Sequence, residues 1–409
     1  MAARRRRAAG LAGVVLCAGV AMAACGSSSG SAPAGPLTLT AEDYFTADPA
    51  HSAVGSILDS CAKSAGVNIV QQSVANPQLM PKVLQQLSAH TLPDLLMLDN
   101  PDLQQIATTG ALTPLDSVGV KLSGYYPSIV AAGSYQGKVY GLAPGVNSIA
   151  LVYNKDMFAA AGITAPPSTW DELKADAAAL TTPQHYGFAM SADNDGEGAW
   201  SFLPFFWSNG GDLKHLDSAQ SVAALQFVTG LVHAGSMSKS VVTWAQSDVN
   251  EQFMAGKAAM MINGPWQLPV LAQNSALHYG VTQIPAPAEG TTVKVPLGGE
   301  VWTVPVTDQA HEQAAAKVLA CMNDEANQLS YAKANSYVPS LESAAKQAEA
   351  DNPLLTPFAG EVSTALSRTA EVGTDYPKIQ TALETALASS ITGSSSPQAA
   401  LSTAQSAAN

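Results

Sequence analysis

Cysteine is rare in this chain, and the motifs that hold metals or phosphates are missing. Four cysteines occur in 409 residues, none in a C-x-x-C pair, and there is no H-E-x-x-H or clustered His and Cys spacing. Common metal sites need such spacing, so no metal site is predicted. The G-x-G-x-x-G and Walker-type phosphate loops are also missing, and beyond the Ser-rich N-terminal stretch there is no G-x-S-x-G nucleophile elbow. These absences predict no cofactor and no catalytic residue.

Positive charge is also scarce. Nineteen Lys and Arg residues against 32 Asp and Glu residues give a formal net charge of −13 at pH 7. Removal of the four arginines at 4–7 with the export signal described below changes this to −17, because four positive charges are lost. A surface this negative repels nucleic acid, so we exclude a nucleic-acid partner.

The remaining composition is that of a globular protein. Hydrophobic residues make up 47% of the chain and charged residues only 12%, which is atypical of disordered chains. A length of 409 residues exceeds what one ordinary hydrophobic core supports, so two domains or lobes are expected.

The N-terminus has the layout of an export signal. Four arginines at 4–7 precede an apolar segment at 11–24 that is too short to span a bilayer, so residues 1–24 are predicted to be removed. The residues before Cys25, Met-Ala-Ala, resemble the lipobox of bacterial lipoproteins. This resemblance implies a lipidated Cys25, a flexible tether at 25–36 and attachment to the outer face of the cytoplasmic membrane. The alternative is a cleaved secretory signal with a disordered start.

Besides the lipidated Cys25, two cysteines remain after the predicted processing, Cys61 and Cys321. In an exported protein they can form a disulfide, but two cysteines so far apart in sequence can equally be buried free thiols. Both alternatives stay open at this point.

From residue 37 onward, strand-like and helix-like segments alternate. Strands are predicted at 37–40, 67–70 and 93–98, with helices at 52–65 and 78–88 between them. Such alternation predicts βαβ units, and hence an α/β fold with mainly parallel sheets.

Residues 251–266, EQFMAGKAAMMINGPW, combine several local signals in a row. They predict a helix that ends before Gly256, a short apolar strand at 258–262, and a tight Asn-Gly-Pro turn that presents Trp266. Ligands of open α/β sheets bind at the ends of strands, so Trp266 is a candidate ligand contact. A core tryptophan is the alternative.

This stretch resembles a signature of the extracellular solute-binding proteins of bacterial ABC importers, in particular the sugar-binding group that includes the maltose-binding proteins. Further stretches that resemble the family in the same order lie at 93–116, 137–155, 187–213, 295–305 and 368–380. The resemblance implies a two-lobed periplasmic-binding-protein-like fold, in which each lobe has a mainly parallel sheet flanked by helices and the ligand lies in the cleft between them. Residues 37–145 and 295–325 are assigned to the N-terminal lobe, and residues 146–294 and 326–409 to the C-terminal lobe.

The resemblance also implies a set of ligand-binding residues. Aromatic rings suit the apolar faces of sugars, and carboxylates and amides suit their hydroxyl groups. The candidates are Asp99, Asn147, Trp200, Trp266, Glu300, Trp302 and Tyr376. Helix capping is the alternative role for Asp99, and core packing is the alternative for Trp200 and Tyr376.

Two other segments have simpler interpretations. The loop at 193–198, DNDGEG, contains acidic residues, but glycines at alternate positions remove too many calcium ligands, so a solvated loop is predicted. The low-complexity end at 389–409 is predicted to be a frayed helix.

Together these features predict a monomeric binding protein that captures a sugar or small oligosaccharide outside the cell and delivers it to an ABC transporter permease. A binding protein for another small solute, a secreted carbohydrate-active hydrolase, and an adhesin or sensor built on the same fold are the alternatives.

Overall fold

A computed structural model describes residues 35–409 of the chain. The predicted export signal, the lipidation at Cys25 and the tether up to residue 34 lie outside the described residues. Within 35–409, no helix has both the length and the apolar character needed to cross a bilayer.

Thirteen strands and sixteen helices occur within residues 35–409. The strands are β1 (Thr38–Asp43), β2 (Asn68–Ser73), β3 (Leu95–Asp99), β4 (Ser134–Tyr135), β5 (Lys138–Val139), β6 (Gly141–Leu142), β7 (Gly145–Val146), β8 (Ala150–Asn154), β9 (Tyr186–Ala189), β10 (Ala258–Asn263), β11 (Tyr279–Thr282), β12 (Glu300–Thr303) and β13 (Val338–Pro339). The helices are α1 (Ala50–Ala65), α2 (Asn76–Ala89), α3 (Leu103–Ala107), α4 (Pro127–Ala132), α5 (Lys155–Ala160), α6 (Trp170–Ala179), α7 (Glu197–Ser208), α8 (Ala219–His233), α9 (Gln246–Met254), α10 (Leu268–Leu271), α11 (Gln309–Met322), α12 (Glu325–Asn335), α13 (Glu342–Asp351), α14 (Thr356–Ser363), α15 (Tyr376–Thr392) and α16 (Pro397–Ala408).

Two larger sheets form the centres of two lobes. The first sheet has the order β2-β1-β3-β12-β6, in which β12 runs antiparallel to both of its neighbours. The second has the order β11-β8-β10-β9, in which β8 runs antiparallel to both of its neighbours. The other strands of each sheet share one direction. The reversed strands, β8 and β12, are the first strands that the chain forms after it crosses from one of these sheets to the other. The predicted two-lobed α/β fold with mainly parallel sheets is confirmed.

The segments that connect the two sheets lie side by side. Asn147 donates its backbone N–H to the carbonyl of Gly298 at 3.2 Å, and Gly298 donates to the carbonyl of Asn147 at 2.8 Å. Leu366 adds a third segment, because its backbone exchanges hydrogen bonds of 2.8 Å with Val295 and Leu297. The predicted lobe boundaries stay predictions, and helix α12, assigned to the C-terminal lobe, packs against α1 beside the first sheet.

Residues 251–266 have the predicted local structure. Helix α9 ends at Met254, and Gly256 follows with a φ of +66°, a conformation that glycine adopts without strain. Strand β10 then runs to Asn263, whose side chain accepts a hydrogen bond from the N–H of Gly264 at 2.9 Å. A short 3-10 turn that follows presents Trp266.

Cys61 of α1 and Cys321 of α11 are joined in a disulfide, so the first of the two alternatives for these cysteines is the observed one. The side-chain amide of Asn327 lies 3.5 Å from both sulfur atoms. The bond connects two helices that lie 260 residues apart in the sequence and cover the same side of the first sheet.

The prediction of a frayed C-terminal helix is wrong. Helix α16 packs against α15 and α8, and Ala400, Leu401 and Ala404 are buried in that contact. A stripe of small apolar residues at helical spacing is enough to dock this helix, although its overall composition resembles that of a disordered segment.

Candidate functional site

Asp99, the last residue of β3, lies at the carboxyl end of the first sheet and has two partners. Its carboxylate accepts a hydrogen bond from the backbone N–H of Asn100 at 2.9 Å, which caps the short turn that follows. The same oxygen accepts a hydrogen bond from Nη2 of Arg368 at 2.7 Å. Asp99 therefore caps a turn and also takes part in an ion pair between distant segments.

Arg368 lies between two of the predicted aromatic residues. Its side chain is only 5% exposed, and its guanidinium carbon lies 4.5 Å from the centre of the Trp200 ring and 5.8 Å from that of Tyr376. Trp200 belongs to α7 of the second lobe, whereas Asp99 belongs to the first sheet, so Arg368 connects the two lobes. We refer to Asp99, Trp200, Arg368 and Tyr376 as the Arg368 cluster.

Three buried hydrogen-bond donors of this cluster lack a partner among residues 35–409. They are Nε1 of Trp200, Nε of Arg368 and the hydroxyl of Tyr376. A buried donor without an acceptor costs about 1–3 kcal/mol, and native structures contain few of them. These three donors, one of them on the guanidinium itself, lie close together, and acceptor oxygens placed among them would pair them.

Charge within the cluster is nearly balanced. Burial raises the pKa of Asp102, three residues beyond Asp99, to about 7, the charge of Asp99 adds to this rise, and Arg368 opposes it. Burial also raises the pKa of the Tyr376 hydroxyl, which is therefore neutral at physiological pH. Asp99 and Arg368 carry opposite charges, so the cluster offers directed hydrogen bonds without a large net charge.

Asn147 contacts the same region from a connecting segment. It is 3% exposed, and a side chain at Gly298 would collide with both its amide oxygen and the ring of Trp200. The absence of a Cβ at residue 298 thus lets Asn147 and Trp200 approach each other. The structure brings Asp99, Asn147, Trp200 and Tyr376 together.

Trp266 lies in the turn after β10 of the second sheet and is not part of the Arg368 cluster. Its ring is partly exposed and packs over the backbone of Gly264. It contacts the ring of Tyr337 edge to face, with centroids 6.4 Å apart and planes at 73°. It packs against hydrophobic residues of both lobes. A partly exposed indole at this position has a face available for a ligand.

Glu300 is 2% exposed and is surrounded by tyrosines. Its carboxylate accepts hydrogen bonds from the hydroxyls of Tyr331 and Tyr337, at 3.1 Å each, and from that of Tyr44. Burial raises the pKa of Glu300, and the hydrogen bond from Tyr44 opposes the rise. We refer to Glu300 and these three tyrosines as the Glu300 network.

Trp302 does not reach the interlobe region. It is fully buried, and β12 directs it to the same side of the sheet as Glu300, where α1 and α11 cover the strand. Trp302 lies two residues beyond Glu300 on β12, a distance of about 7 Å along the strand. This distance takes its side chain away from Glu300 and into the core. Its surroundings are those of a packing residue.

Only one group of three potential metal ligands occurs within residues 35–409: the carboxylates of Asp193, Asp195 and Glu197. Asp193 is buried rather than solvated as predicted, and burial with the neighbouring acids raises its pKa to about 8 and that of Glu197 to about 7. Backbone N–H groups of Gly198 and Gln246 already donate to this group.

Sequence reasoning missed Arg368 and Tyr337 as members of these clusters. For Arg368 a signal was available, because it is the only arginine after residue 7 in the sequence. A chain that otherwise uses lysine for positive charge has a reason to keep one planar, five-donor side chain. Tyr337 has no comparable signal, since its role depends on contacts with Glu300 and Trp266 far away in the sequence.

Known proteins resemble this chain in sequence and in fold. The sequence profile of the bacterial extracellular solute-binding proteins matches residues 56–357. A maltooligosaccharide ABC transporter solute-binding lipoprotein of Streptococcus pneumoniae is 24% identical over 378 residues, which cover 87% of this chain and 86% of the relative.

Two solved structures show the same architecture. The ABC transporter solute-binding protein of Thermotoga lettingae, solved with α-D-tagatose, superposes with a TM-score of 0.82 at 22% identity and covers 91% of this chain and 99% of its own. The cyclic α-maltosyl-1,6-maltose-binding protein of Arthrobacter globiformis superposes with a TM-score of 0.78 at 25% identity, and 92% of this chain and 98% of the other are covered.

Proposed function

Because the chain belongs to the bacterial extracellular solute-binding proteins, we propose that it captures a sugar or small oligosaccharide between its lobes and delivers it to the permease of an ABC importer. The observation that carries this proposal is the Arg368 cluster, in which three unpartnered buried donors of residues 35–409 surround an ion pair between the lobes. Support also comes from the relatives, whose names refer to maltooligosaccharides and to a cyclic maltose derivative.

The chemistry of the cluster suits a neutral polyol. The partly exposed Trp266 offers its ring to the apolar C–H surface of a pyranose, and the rings of Trp200 and Tyr376 are buried beside Arg368. Asp99 accepts hydrogen bonds from hydroxyl groups, and Arg368 and Tyr376 donate to hydroxyl or ring oxygens. The opposite charges of Asp99 and Arg368 cancel, so an anionic or cationic ligand would have no countercharge of its own. We propose Asp99, Asn147, Trp200, Trp266, Arg368 and Tyr376 as ligand contacts.

One observation favours the hydrolase alternative. Asp102, whose pKa burial raises to about 7, lies close to Asp99, and glycosidases use two neighbouring carboxyl groups as general acid and nucleophile. Against this, Asp99 is already held by Arg368, and the relatives are binding proteins. We therefore propose that the chain is not an enzyme.

The proposed location follows from the N-terminal sequence. Lipidation of Cys25 would anchor the protein at the outer face of the cytoplasmic membrane, close to the permease, and the relative from Streptococcus pneumoniae is described as a lipoprotein. Since one acyl chain anchors only marginally, more than one is implied. Cys25→Ser should convert a membrane-associated protein into a soluble or unprocessed one. Equal fractionation of the two forms would argue for a plain secretory signal.

The ligand proposal is tested by thermal-shift screening of the purified protein with neutral mono- and oligosaccharides, and with glucuronate and glucose 6-phosphate as charged controls. A ligand that binds only the folded state raises the melting temperature. We expect stabilisation by at least one neutral sugar, none by the charged analogues, and no release of shorter products on incubation. Absence of stabilisation across the sugar panel would argue for a different solute, and product release would favour the hydrolase.

A further inference from the structure

Both oxygens of the Glu300 carboxylate already accept hydrogen bonds from tyrosine hydroxyls. One oxygen accepts from Tyr44 and Tyr337, and the other accepts from Tyr331. Glu300 is 2% exposed, and the tyrosines themselves cover it. A ligand hydroxyl could reach this carboxylate only by displacing a phenol.

The tyrosines reach Glu300 from separate parts of the chain. Tyr44 follows β1, Tyr331 lies on α12, and Tyr337 precedes β13, which pairs with the connecting strand β7. The packing against β7 is close, because a Cβ at Gly145 would lie 3.2 Å from both Tyr331 and Tyr337. The network therefore fixes the position of Tyr337 relative to a segment that passes from one lobe to the other.

Tyr337 extends the network to the second lobe. Its ring meets the ring of Trp266 edge to face at 6.4 Å and 73°, and it also contacts Tyr331 at 5.7 Å and 74°. Trp266 is presented by the turn after β10 of the second sheet. The orientation of the Trp266 indole thus depends on a tyrosine whose hydroxyl Glu300 holds.

We propose that Glu300 is a positioning residue, which orients Tyr337 and through it the exposed face of Trp266, and that it does not contact the ligand itself. Glu300, which the family resemblance placed among the ligand contacts, thus acts through Tyr337 instead. Its binding consequence rests on the proposed function, whereas its structural consequence, the orientation of Trp266, does not.

The structural consequence is tested without ligand by 19F NMR of protein labelled with 5-fluorotryptophan. The chain has six tryptophans, and Trp266→Phe assigns the resonance of interest. Glu300→Gln keeps the length of the side chain but replaces one acceptor oxygen by an amide that cannot accept from a phenol. We expect Glu300→Gln and Tyr337→Phe to shift or broaden the Trp266 resonance and to leave the Trp200 resonance in place.

Tyr331→Phe is the matched control. Its hydroxyl also donates to Glu300, but among the described residues its ring pairs with Phe45 and Tyr337 rather than with Trp266, so the Trp266 resonance should stay unchanged. Circular dichroism establishes that each variant is folded, and Tyr337→Phe decides the question alone if Glu300→Gln does not fold. An unchanged Trp266 resonance in folded Glu300→Gln or Tyr337→Phe would overturn the proposal.

The binding consequence is tested by calorimetric titration with maltotriose. Glu300→Gln weakens and Tyr337→Phe removes the same hydrogen bond, so each should weaken binding by about three- to thirtyfold, and the double variant should bind no more weakly than the worse single variant. Additive losses would show that Glu300 contacts the ligand directly and would overturn the proposal. If the wild-type protein does not bind maltotriose, that result counts against this sugar as the ligand, and the fluorine spectra still decide the role of Glu300.

Discussion

Arg368 and Glu300, the central residues of the Arg368 cluster and the Glu300 network, are both buried, yet the hydrogen bonding around them is opposite. Within residues 35–409, the Arg368 cluster has three buried donors without acceptors. In the Glu300 network three hydroxyl donors meet one carboxylate, and both of its oxygens accept. Tyr376 and Tyr331 illustrate the contrast, since both rings are essentially unexposed, and the Tyr331 hydroxyl donates to Glu300 whereas that of Tyr376 meets no acceptor among residues 35–409.

Burial alone therefore does not separate a binding residue from a packing residue. A polar network whose buried groups all have partners stabilises one conformation and gains little from a ligand, whereas unpartnered buried donors have a free-energy cost that a ligand can remove. This difference supports the proposals that the Arg368 cluster contacts the ligand and that the Glu300 network positions Trp266.

The largest expected effect is that of Arg368→Ala on ligand affinity. The substitution removes the donors of the guanidinium and leaves Asp99 unpaired, and loss of one partner of a buried charge pair costs about 2–4 kcal/mol, or roughly 30- to 1000-fold in affinity. Calorimetric titration with the sugar found by the thermal-shift screen measures it. Arg368→Lys, which keeps the charge but not the planar fork, should lose less. Wild-type affinity in folded Arg368→Ala would show that the Arg368 cluster does not contact the ligand.

Trp266→Ala is expected to have the next largest effect. A sugar that covers the ring face buries on the order of 50–100 Å² of apolar surface, which at ~25 cal/mol/Å² contributes roughly 1–2.5 kcal/mol. Affinity should therefore fall by about ten- to a hundredfold, as measured by titration.

Trp302→Ala is the matched control for Trp266→Ala, because Trp302 is fully buried in the first lobe. It should cost the ~3–5 kcal/mol of unfolding free energy that is typical of a core tryptophan, and folded protein should bind normally. Denaturant unfolding without ligand measures this cost. The reverse pattern, in which Trp266→Ala unfolds easily but binds normally, would make Trp266 a packing residue.

Much of the fold was predictable from local signals. The helix end at Gly256, strand β10 and the turn before Trp266 follow from residue types within a few positions of one another, and so does the capping box of Thr169 and Glu172 at α6. The two-lobed architecture was predictable from the order of the matching stretches. Local conformational preferences and hydrophobic periodicity are properties of short segments, so a sequence displays them directly.

The site was less predictable because its contacts are distant in sequence. Asp99 and Arg368 are 269 residues apart, and Glu300 and Tyr44 are 256 apart. The sequence suggested polar and aromatic candidates at strand ends, but it gave no sign of which carboxylate was already occupied. Trp302 and Glu300 looked equivalent to Trp266 and Asp99 for that reason, and only the contacts distinguish them.

Tyr376→Phe and Tyr331→Phe make the same chemical change in the Arg368 cluster and in the Glu300 network, so they compare the two directly. Tyr376→Phe removes an unpartnered hydroxyl, so stability should be unchanged or slightly higher, and affinity should fall by up to about tenfold if the hydroxyl bonds to ligand. Tyr331→Phe removes a partnered hydroxyl, so the free energy of unfolding should fall by roughly 0.5–1.5 kcal/mol with affinity unchanged. Denaturant unfolding and titration on each variant measure both quantities. Similar stability losses in the two variants would remove the distinction between the clusters.

The smallest expected effect concerns the pH dependence of stability near the Arg368 cluster. The folded-state pKa of Asp102, about 7, lies above the unfolded value of about 3.9. The folded protein therefore holds this proton more tightly, so the stabilising contribution is complete below about pH 4 and is lost as the pH rises through 7. Burial acts with the same sign on four other carboxyl groups, whose pKa values it raises to about 7 or 8: Asp193, Glu197, Glu361 and Glu384.

The melting temperature should consequently be higher at pH 5.5 than at pH 8. Asp102→Asn makes one of these groups permanently neutral, so the difference between the two pH values should shrink by a few degrees or less, and the other four acids should keep the rest of it. Asp171→Asn, at an exposed position on α6, is the matched control and should leave the difference unchanged. Scanning calorimetry at the two pH values measures each slope. If Asp102→Asn and Asp171→Asn give the same slope as the wild type, Asp102 is ionised beside Arg368 at neutral pH, and the cluster carries a net negative charge that would favour a cationic ligand over a neutral sugar.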